Sequence, residues 1–153
     1  MFWEIVDSVE LENRLRLLIE AAGFHLMASH WKPLKGKRLL RVVADAEDHN
    51  ITVDECAGLS RAISDLLDSY PHDFPDYRLE VSSPGLEHPL ERWQFRKNLG
   101  RLVEVHFLED GEARSCRGDL ISIAETEIGI QAKGQVRTVA LENVQHVLVL
   151  PRI

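Results

Sequence analysis

The sequence has little of what usually supports disulfides, metal centres or membrane anchoring. It contains two cysteines in 153 residues, Cys56 and Cys116, and their separation matches no metal or redox spacing. We therefore expect a reducing, cytoplasmic location with both side chains as buried thiols. No apolar run approaches the roughly 18 residues of a membrane helix. The acidic residues in the opening MFWEIVD argue against a secretory signal.

Motifs that bind phosphate, activate a serine or hold a metal are also missing. Neither Gly-x-Gly-x-x-Gly nor Gly-x-x-x-x-Gly-Lys occurs, and there is no Gly-x-Ser-x-Gly elbow. The segment 45–56, DAEDHNITVDEC, resembles a calcium loop but has Asn50 where glycine is required and Cys56 where glutamate closes the loop. His25 and His30, five apart in a predicted strand, should point to opposite faces. We predict no catalytic residue, no metal site and no cofactor.

Charge is the next constraint. The chain has 18 Lys+Arg against 25 Asp+Glu, a net charge of −7, which argues against non-specific coating of nucleic acid. Residues 1–90 hold 9 basic and 16 acidic side chains, whereas residues 91–153 hold 9 of each. This asymmetry predicts an acidic N-terminal module joined to a neutral one, and an acidic face suits a basic partner.

Periodicity predicts a mixed N-terminal module. Apolar residues recur at three- and four-residue steps up to Gly23, and Thr52 with Glu55 forms a capping box at the start of a second helix. The basic segment KPLKGK predicts a turn between two strands. The elements predicted in chain order are helix 5–22, strands 24–31 and 39–44, a helix from residue 52 to the break at SYPHDFPDY, and strand 78–82. This α-β-β-α-β order predicts an α+β fold in which two helices cover one face of a three-stranded sheet.

The C-terminal part is strand-like. Turn signals at 83–89 end the helical periodicity, which predicts a domain at 1–83, a linker at 84–90 and a second domain at 91–153. Turns are predicted at 109–112 and 133–135, and strand patterns occur in LVEVHFL, EIGIQA, RTVAL and VQHVLVL. About five short strands predict a small antiparallel β-barrel whose closure removes exposed edges.

Two groups of cations are candidates for nucleic-acid contact. The first group lies at the predicted hairpin tip beside Trp31 and can follow a phosphate backbone, while the indole stacks on an unpaired base. A solvated turn that protects a sheet edge is an equally good interpretation. The second group follows the linker and flanks Trp93 and Phe95, where an aromatic anchor between modules with a solvated basic face is the competing interpretation. The two groups are Lys32, Lys35, Lys37 and Arg38, and Arg92, Arg96 and Lys97.

Two segments carry a family resemblance. ITVDECAGLSRAISDLLD, followed by YRLEVSSPGLEHPL, closely resembles the RimP family of ribosome maturation factors, and the similarity continues through GFHLMASHW, LLRVVAD and RWQFRKNLGRLVEV. It therefore covers nearly the whole chain. The motif residues are Glu80, Val81, Ser82, Ser83, Pro84, Gly85, Leu86, His88, Pro89 and Leu90.

The resemblance implies a fold and a function. It implies a K-homology-like (KH-like) N-terminal domain and an SH3-like or Sm-like C-terminal barrel. It also implies a non-enzymatic factor that binds free, immature small (30S) ribosomal subunits. Such a factor assists a basic ribosomal protein near the decoding centre in joining 16S rRNA around the central pseudoknot. No cofactor and no membrane is implied, and we expect a monomer.

Two departures and two alternatives accompany this assignment. His88 stands where the family commonly carries arginine, so a contact there is weaker or pH-dependent. The Gly-x-x-Gly clamp of true K-homology domains is missing. The motif at Ser82–Leu86 either joins the modules to the rRNA–protein junction or is a rigid linker that fixes their angle. The alternative functions are a free-standing RNA-binding regulator that uses the hairpin and barrel, and a protein–protein adaptor whose barrel captures a peptide.

Overall fold

The computed structural model describes residues 8–70 and 76–152, and the chain divides between Pro84 and Gly85 into two compact units. The predicted helix before residue 8 and the prolines of the predicted break at 71–75 lie outside the described residues. None of the described helices is long and apolar enough to span a membrane. The N-terminal unit contains α1 (Ser8–Ala21), β1 (His25–Leu34), β2 (Lys37–Asp45), α2 (Val53–Asp68) and β3 (Tyr77–Ser82). The predicted α-β-β-α-β order is confirmed.

The N-terminal core lies between the two helices and one face of a three-stranded sheet. The sheet order is β1-β2-β3, with β1 antiparallel and β3 parallel to the central β2. Apolar residues of both helices recur at helical spacing and pack against alternate residues of β2, which places both helices on the same face. The β2 residues in this core are Leu40, Val42 and Ala44.

A β-bulge in β1 changes which side chains face the helices. Leu26 pairs with Ala44 but Ala28 pairs with Val43, so Met27 is an extra residue. The alternation after Leu26 is therefore shifted by one position relative to the sequence pattern. As a result His25 and His30 have partners, Asp45 and Arg41, on the same face of β2.

The prediction that these two histidines point to opposite faces is therefore wrong. They remain about 13 Å apart along the sheet, because their partners are four positions apart on β2. That spacing does not allow both histidines to bind one metal ion.

The second helix begins with the predicted capping box. The Glu55 backbone N–H donates to Thr52 Oγ1 at 3.1 Å, and the Thr52 backbone N–H donates to Glu55 Oε1 at 3.0 Å. In the loop before it, buried Asp45 accepts from the backbone N–H groups of Ala46 and Ile51, at 2.9 and 3.1 Å. Asp45 is the first residue of the segment that resembles a calcium loop, and its carboxylate is used instead to hydrogen-bond the backbone of the loop that leads into α2.

Loss of the cap should destabilise the N-terminal unit. We expect Thr52→Ala to lower the free energy of unfolding by about 1 kcal/mol, because one helix N–H loses its acceptor. Urea unfolding followed by far-UV circular dichroism measures this, since both described α-helices lie in this unit. Thr52→Ser keeps the hydroxyl and is the matched control. An unchanged midpoint in the alanine variant would contradict the role of the cap.

His49 joins the cap to the preceding loop. Its Nδ1 lies 2.7 Å from Asp48 Oδ1 and its Nε2 lies 2.8 Å from Glu55 Oε1. The hydrogen bond to Asp48, and then that to Glu55, raises the pKa of His49 above its ordinary value. The Thr52 backbone N–H, and then His49, lowers the pKa of Glu55.

These bonds predict a stability that depends on pH. Because the folded pKa of His49 is raised, its contribution is complete below about pH 6.5 and is lost as the pH rises through the folded pKa. At about pH 6 we expect wild type to have a higher urea midpoint of unfolding than His49→Gln. This difference should shrink at about pH 8. A difference that is the same at both pH values would rule out a titrating His49.

The C-terminal unit is a five-stranded antiparallel sheet. Its strand order is β7-β6-β5-β4-β8, and two-residue turns at Asp110–Gly111 and Lys133–Gly134 join β4 to β5 and β6 to β7. All four turn residues have positive φ, between 52° and 81°, as type I′ hairpin turns require. The strands are β4 (Leu102–Glu109), β5 (Glu112–Ile123), β6 (Glu127–Ala132), β7 (Gln135–Ala140) and β8 (Val144–Val149).

Two predictions for this unit need correction. The sequence pattern did not identify β5, which has 12 residues and is the longest strand in the described chain. The ladders among the described residues leave β7 and β8 as edges, so the predicted closure by continuous strand pairing is wrong. The α+β class itself is confirmed.

Glycines allow β5 and β6 to come close together. A Cβ on Gly118 would lie 2.5 Å from the Gln131 carbonyl oxygen, and one on Gly129 would lie 2.3 Å from Ser122 Oγ. The register of β5 on β6 also shifts between Leu120 and Ser122. The strand bends there and pairs with β4 in its first half and with β6 in its second half.

Candidate nucleic-acid interface

The basic hairpin tip is tighter than the sequence suggests. Leu34 pairs with Lys37, which leaves a two-residue turn of Lys35 and Gly36, with φ of 77° at the glycine. The prediction that all of KPLKGK is a turn is therefore wrong, because β1 continues through residue 34 and β2 begins at residue 37. The regular ladder fixes the backbone positions of Lys32 and Lys37 on opposite sides of this turn.

The hairpin cations differ in their surroundings. Lys32, Lys35 and Lys37 are exposed, and none of them forms an ion pair with a described residue. Arg38 is half-buried, and its backbone N–H donates to the Asp76 carbonyl at 3.2 Å. Trp31 packs against the N-terminal core, so its ring has a structural role in addition to the stacking considered from the sequence.

The second group of cations lies within two single-turn 3-10 helices, Arg92–Gln94 and Arg96–Asn98. Arg92 donates to the Glu125 backbone carbonyl, and Lys97 Nζ lies 5.7 Å from the centre of the Trp93 ring. The Trp93 Nε1–H donates to Glu91 Oε2 at 2.6 Å. Arg92 and Arg96 are exposed, and neither forms an ion pair with a described residue.

Buried polar groups hold these two turns in place. Gln94 is 1% exposed and accepts from the Glu91 backbone N–H at 2.8 Å, while Asn98 Nδ2 donates to the Gln94 carbonyl at 2.7 Å. Phe95 is 5% exposed and lies in the core of the C-terminal unit. The aromatic residue next to the cations therefore belongs to the core and is not available for stacking on a base.

The motif residues fall into three structural environments. Glu80, Val81 and Ser82 are the last residues of β3, after which the chain passes through Ser83 and Pro84. Residues 85–88 form a turn in which the His88 N–H donates to the Gly85 carbonyl at 3.0 Å, with Leu86 exposed and His88 half-buried. After Pro89, the Leu90 N–H donates to the Val147 carbonyl at 2.8 Å, and the Leu90 side chain packs on the C-terminal core.

Arg41, Arg78 and His30 are further candidates that the sequence analysis missed. Arg41 Nη2 lies 3.1 Å from Glu80 Oε2, and Arg78 Nη2 lies 3.8 Å from Glu80 Oε1. His30, Arg41 and Glu80 occupy matched positions on the three strands. Arg41 stands between two buried apolar residues in the sequence, which is the one local sign that it faces away from the helices.

The described residues contain no group of three or more histidine, cysteine or acidic side chains that could hold a metal ion. Cys56 and Cys116 are free thiols, as predicted, but they are half-buried and not buried. Burial raises the pKa of each thiol, which disfavours the thiolate form. Each packs against the core of its own unit.

Comparison with known families identifies the N-terminal unit. Residues 15–87 match the family model described as the RimP N-terminal domain. The match extends from the middle of α1 through all three strands and into the turn at residues 85–88. RimP proteins are non-enzymatic ribosome maturation factors that associate with the small ribosomal subunit. The N-terminal unit is therefore a RimP N-terminal domain, which supports membership of the chain in the RimP family of ribosome maturation factors.

Proposed function

We propose that this protein assists assembly of the 30S subunit by binding free, immature small subunits. In this proposal it helps a basic ribosomal protein near the decoding centre to join 16S rRNA around the central pseudoknot. It acts in the cytoplasm as a monomer, without a catalytic step or a cofactor. The observation that carries the proposal is the hairpin of a RimP N-terminal domain, with three exposed lysines that have no ion pair among the described residues.

The acidic helices support contact with a basic protein. Helix α2 contains Asp54, Glu55, Asp65 and Asp68 but only one cation, Arg61. Most of these carboxylates are exposed, so they can pair with lysine or arginine side chains of a partner. The lysine hairpin and the acidic helix therefore provide opposite charges for an RNA ligand and a protein ligand.

We also propose that the two units are KH-like and SH3-like or Sm-like. The first assignment is supported by the α-β-β-α-β order with a parallel β3. The second is supported by the bent β5 and by the single 3-10 turn, Leu141–Asn143, between β7 and β8. Determining an experimental structure and comparing it with both fold families would test these assignments.

The main test is co-sedimentation of the purified protein with free small subunits, large subunits and joined ribosomes at two salt concentrations. The proposal expects selective migration with free small subunits. Binding to naked RNA without migration in any ribosomal fraction would instead favour a free-standing RNA-binding regulator. A complex that survives nuclease treatment would favour the protein–protein adaptor.

Neutralising the hairpin should weaken the complex. We expect the Lys32→Gln, Lys35→Gln, Lys37→Gln triple variant to lower the slope of log affinity against log salt by about 2, because each lost phosphate contact removes about 0.7–0.9. Lys133→Gln, which changes a lysine at a hairpin turn of the other unit, is the control. Small-subunit binding that is unchanged in the triple variant would show that the hairpin is not an RNA contact.

The linker motif gives a second prediction. We expect Pro84→Ala with Gly85→Ala to weaken small-subunit binding by about tenfold, because losing the fixed φ of the proline and the conformational freedom of the glycine changes the linker geometry and lowers the effective concentration of one unit once the other has bound. The fold should tolerate the change, since the three atoms nearest to a Cβ on Gly85 all belong to the flexible Glu87 side chain. Ser83→Ala is the control. Wild-type affinity in the double variant, with both units folded, would contradict a role for linker geometry.

A further inference from the structure

The three-stranded sheet of the N-terminal unit has a face that neither helix covers. Since Leu40 and Val42 point toward the helices, the neighbouring positions on each strand point to the other side. The strand register arranges these positions in three rows across the sheet. We call this the helix-free face, and its rows are Lys32–Leu39–Arg78, His30–Arg41–Glu80 and Ala28–Val43–Ser82. Leu39 and Val43 on the central strand are only 6% and 9% exposed, so the accessible surface of this face is mainly that of the polar side chains around them.

Cations predominate on the helix-free face. Among its nine residues Lys32, Arg41 and Arg78 are basic, and Glu80 is the one carboxylate. The side chains of Arg41 and Arg78 are 39% and 62% exposed. Lys37 continues this face at the hairpin tip, because it lies two residues before Leu39 on β2.

Glu80 orients the two arginines without cancelling their charge. One carboxylate lies 3.1 Å from Arg41 and 3.8 Å from Arg78, so it holds both guanidinium groups near the middle of the face. A guanidinium has five N–H donors, and a single carboxylate cannot use the donors of two such groups. Donors of both arginines therefore remain available to an anion.

Most of the positive charge lies on a different layer from the acidic residues of the helices. Residues 1–90 carry more acidic than basic side chains. Four of the acidic residues lie on α2. The cations Arg14 and Arg16 of α1 are paired with Glu10 and Glu12 of the same helix. The unpaired lysines and the two sheet arginines collect on the other layer. Such a separation attracts a polyanion to one side of a protein with negative net charge.

The chemistry of the helix-free face selects the kind of polyanion. Surfaces that bind single strands present aromatic rings on which bases stack, and none of the nine residues of this face is Phe, Tyr or Trp. Trp31 lies on the helix-facing side of β1, opposite Leu40. Cations with the His30 imidazole as the one ring beside them suit the phosphates of a double helix, which proteins recognise by shape and backbone contacts.

We propose that the helix-free face, with the lysines of the hairpin tip, is the docking surface for the phosphate backbone of double-helical RNA. Arg41 and Arg78 contact the phosphates directly, Lys32 and Lys37 extend the contact toward the hairpin tip, and Glu80 is the positioning residue. This inference deepens the proposed function, on which it rests, by assigning the RNA contact to three strands instead of one turn.

The test compares two variants with equal charge changes. Arg41→Gln with Arg78→Gln removes two cations from the helix-free face, and Arg16→Gln with Arg61→Gln removes two exposed cations from the helices. The probes are a fluorescent RNA duplex of about 16 base pairs and a single strand of the same length. Affinity is measured by anisotropy over a series of salt concentrations, and small-subunit binding is measured by co-sedimentation.

We expect the sheet variant to lose about tenfold in affinity for the duplex and to reduce the salt slope by between about 1 and 2. The helix variant should bind within about twofold of wild type at moderate salt, where distant charges are screened. Arg41→Lys with Arg78→Lys should recover most of the affinity. Lys32→Gln, an exposed change that leaves Glu80 and its partners intact, tests the same face if the double variant does not fold.

Several results would overturn the inference. They are equal losses in the sheet and helix variants, wild-type duplex affinity in the sheet variant, no duplex binding by wild type, or preference for the single strand. If wild type migrates with free small subunits in any of these cases, the proposed function stands and only this surface is wrong. If wild type binds the duplex but no ribosomal fraction, the proposed function fails and the surface remains.

Discussion

The burial of one face of β2 under two helices is the constraint on which the N-terminal unit depends. Leu40, Val42 and Ala44 are at most 1% exposed, and they face α1 and α2 across a common core. Because side chains alternate along a strand, this burial also determines which residues remain on the other side. The placement of Arg41 away from the helices is therefore a consequence of hydrophobic packing.

Net charge is a poor guide to what this protein can bind. The net charge of −7 is a sum over the whole molecule, but at physiological salt the field of an exposed charge is screened beyond roughly 8 Å. Within that range the sheet presents lysine and arginine, while α2 presents carboxylates. Ion pairs within α1 increase this separation of charge, since they neutralise the arginines of that helix. Arg14, for example, lies 2.7 Å from Glu10.

Structural features that involve neighbouring residues can be predicted from this sequence, whereas features that join distant segments cannot. The capping box of Thr52 and Glu55 and the turns at Asp110–Gly111 and Lys133–Gly134 involve residues one to three positions apart, and the structure confirms them. The missed strand β5 has mostly polar and exposed residues in its first half, so it lacks the alternation that marks a strand facing a core on one side. Its strand character comes from pairing with β4 and β6.

The sequence by itself determined the α+β class, the order of the N-terminal elements, the family motif and the lysines of the hairpin, because each of these features depends on residues that are close together in the chain. Only the tertiary structure decided that β3 is parallel to β2, that Met27 bulges, and that Lys32, Arg41 and Arg78 share a face. Those outcomes depend on hydrogen-bond register between segments far apart in the chain. A one-residue shift in register moves every later side chain to the opposite face, and no local pattern records that shift.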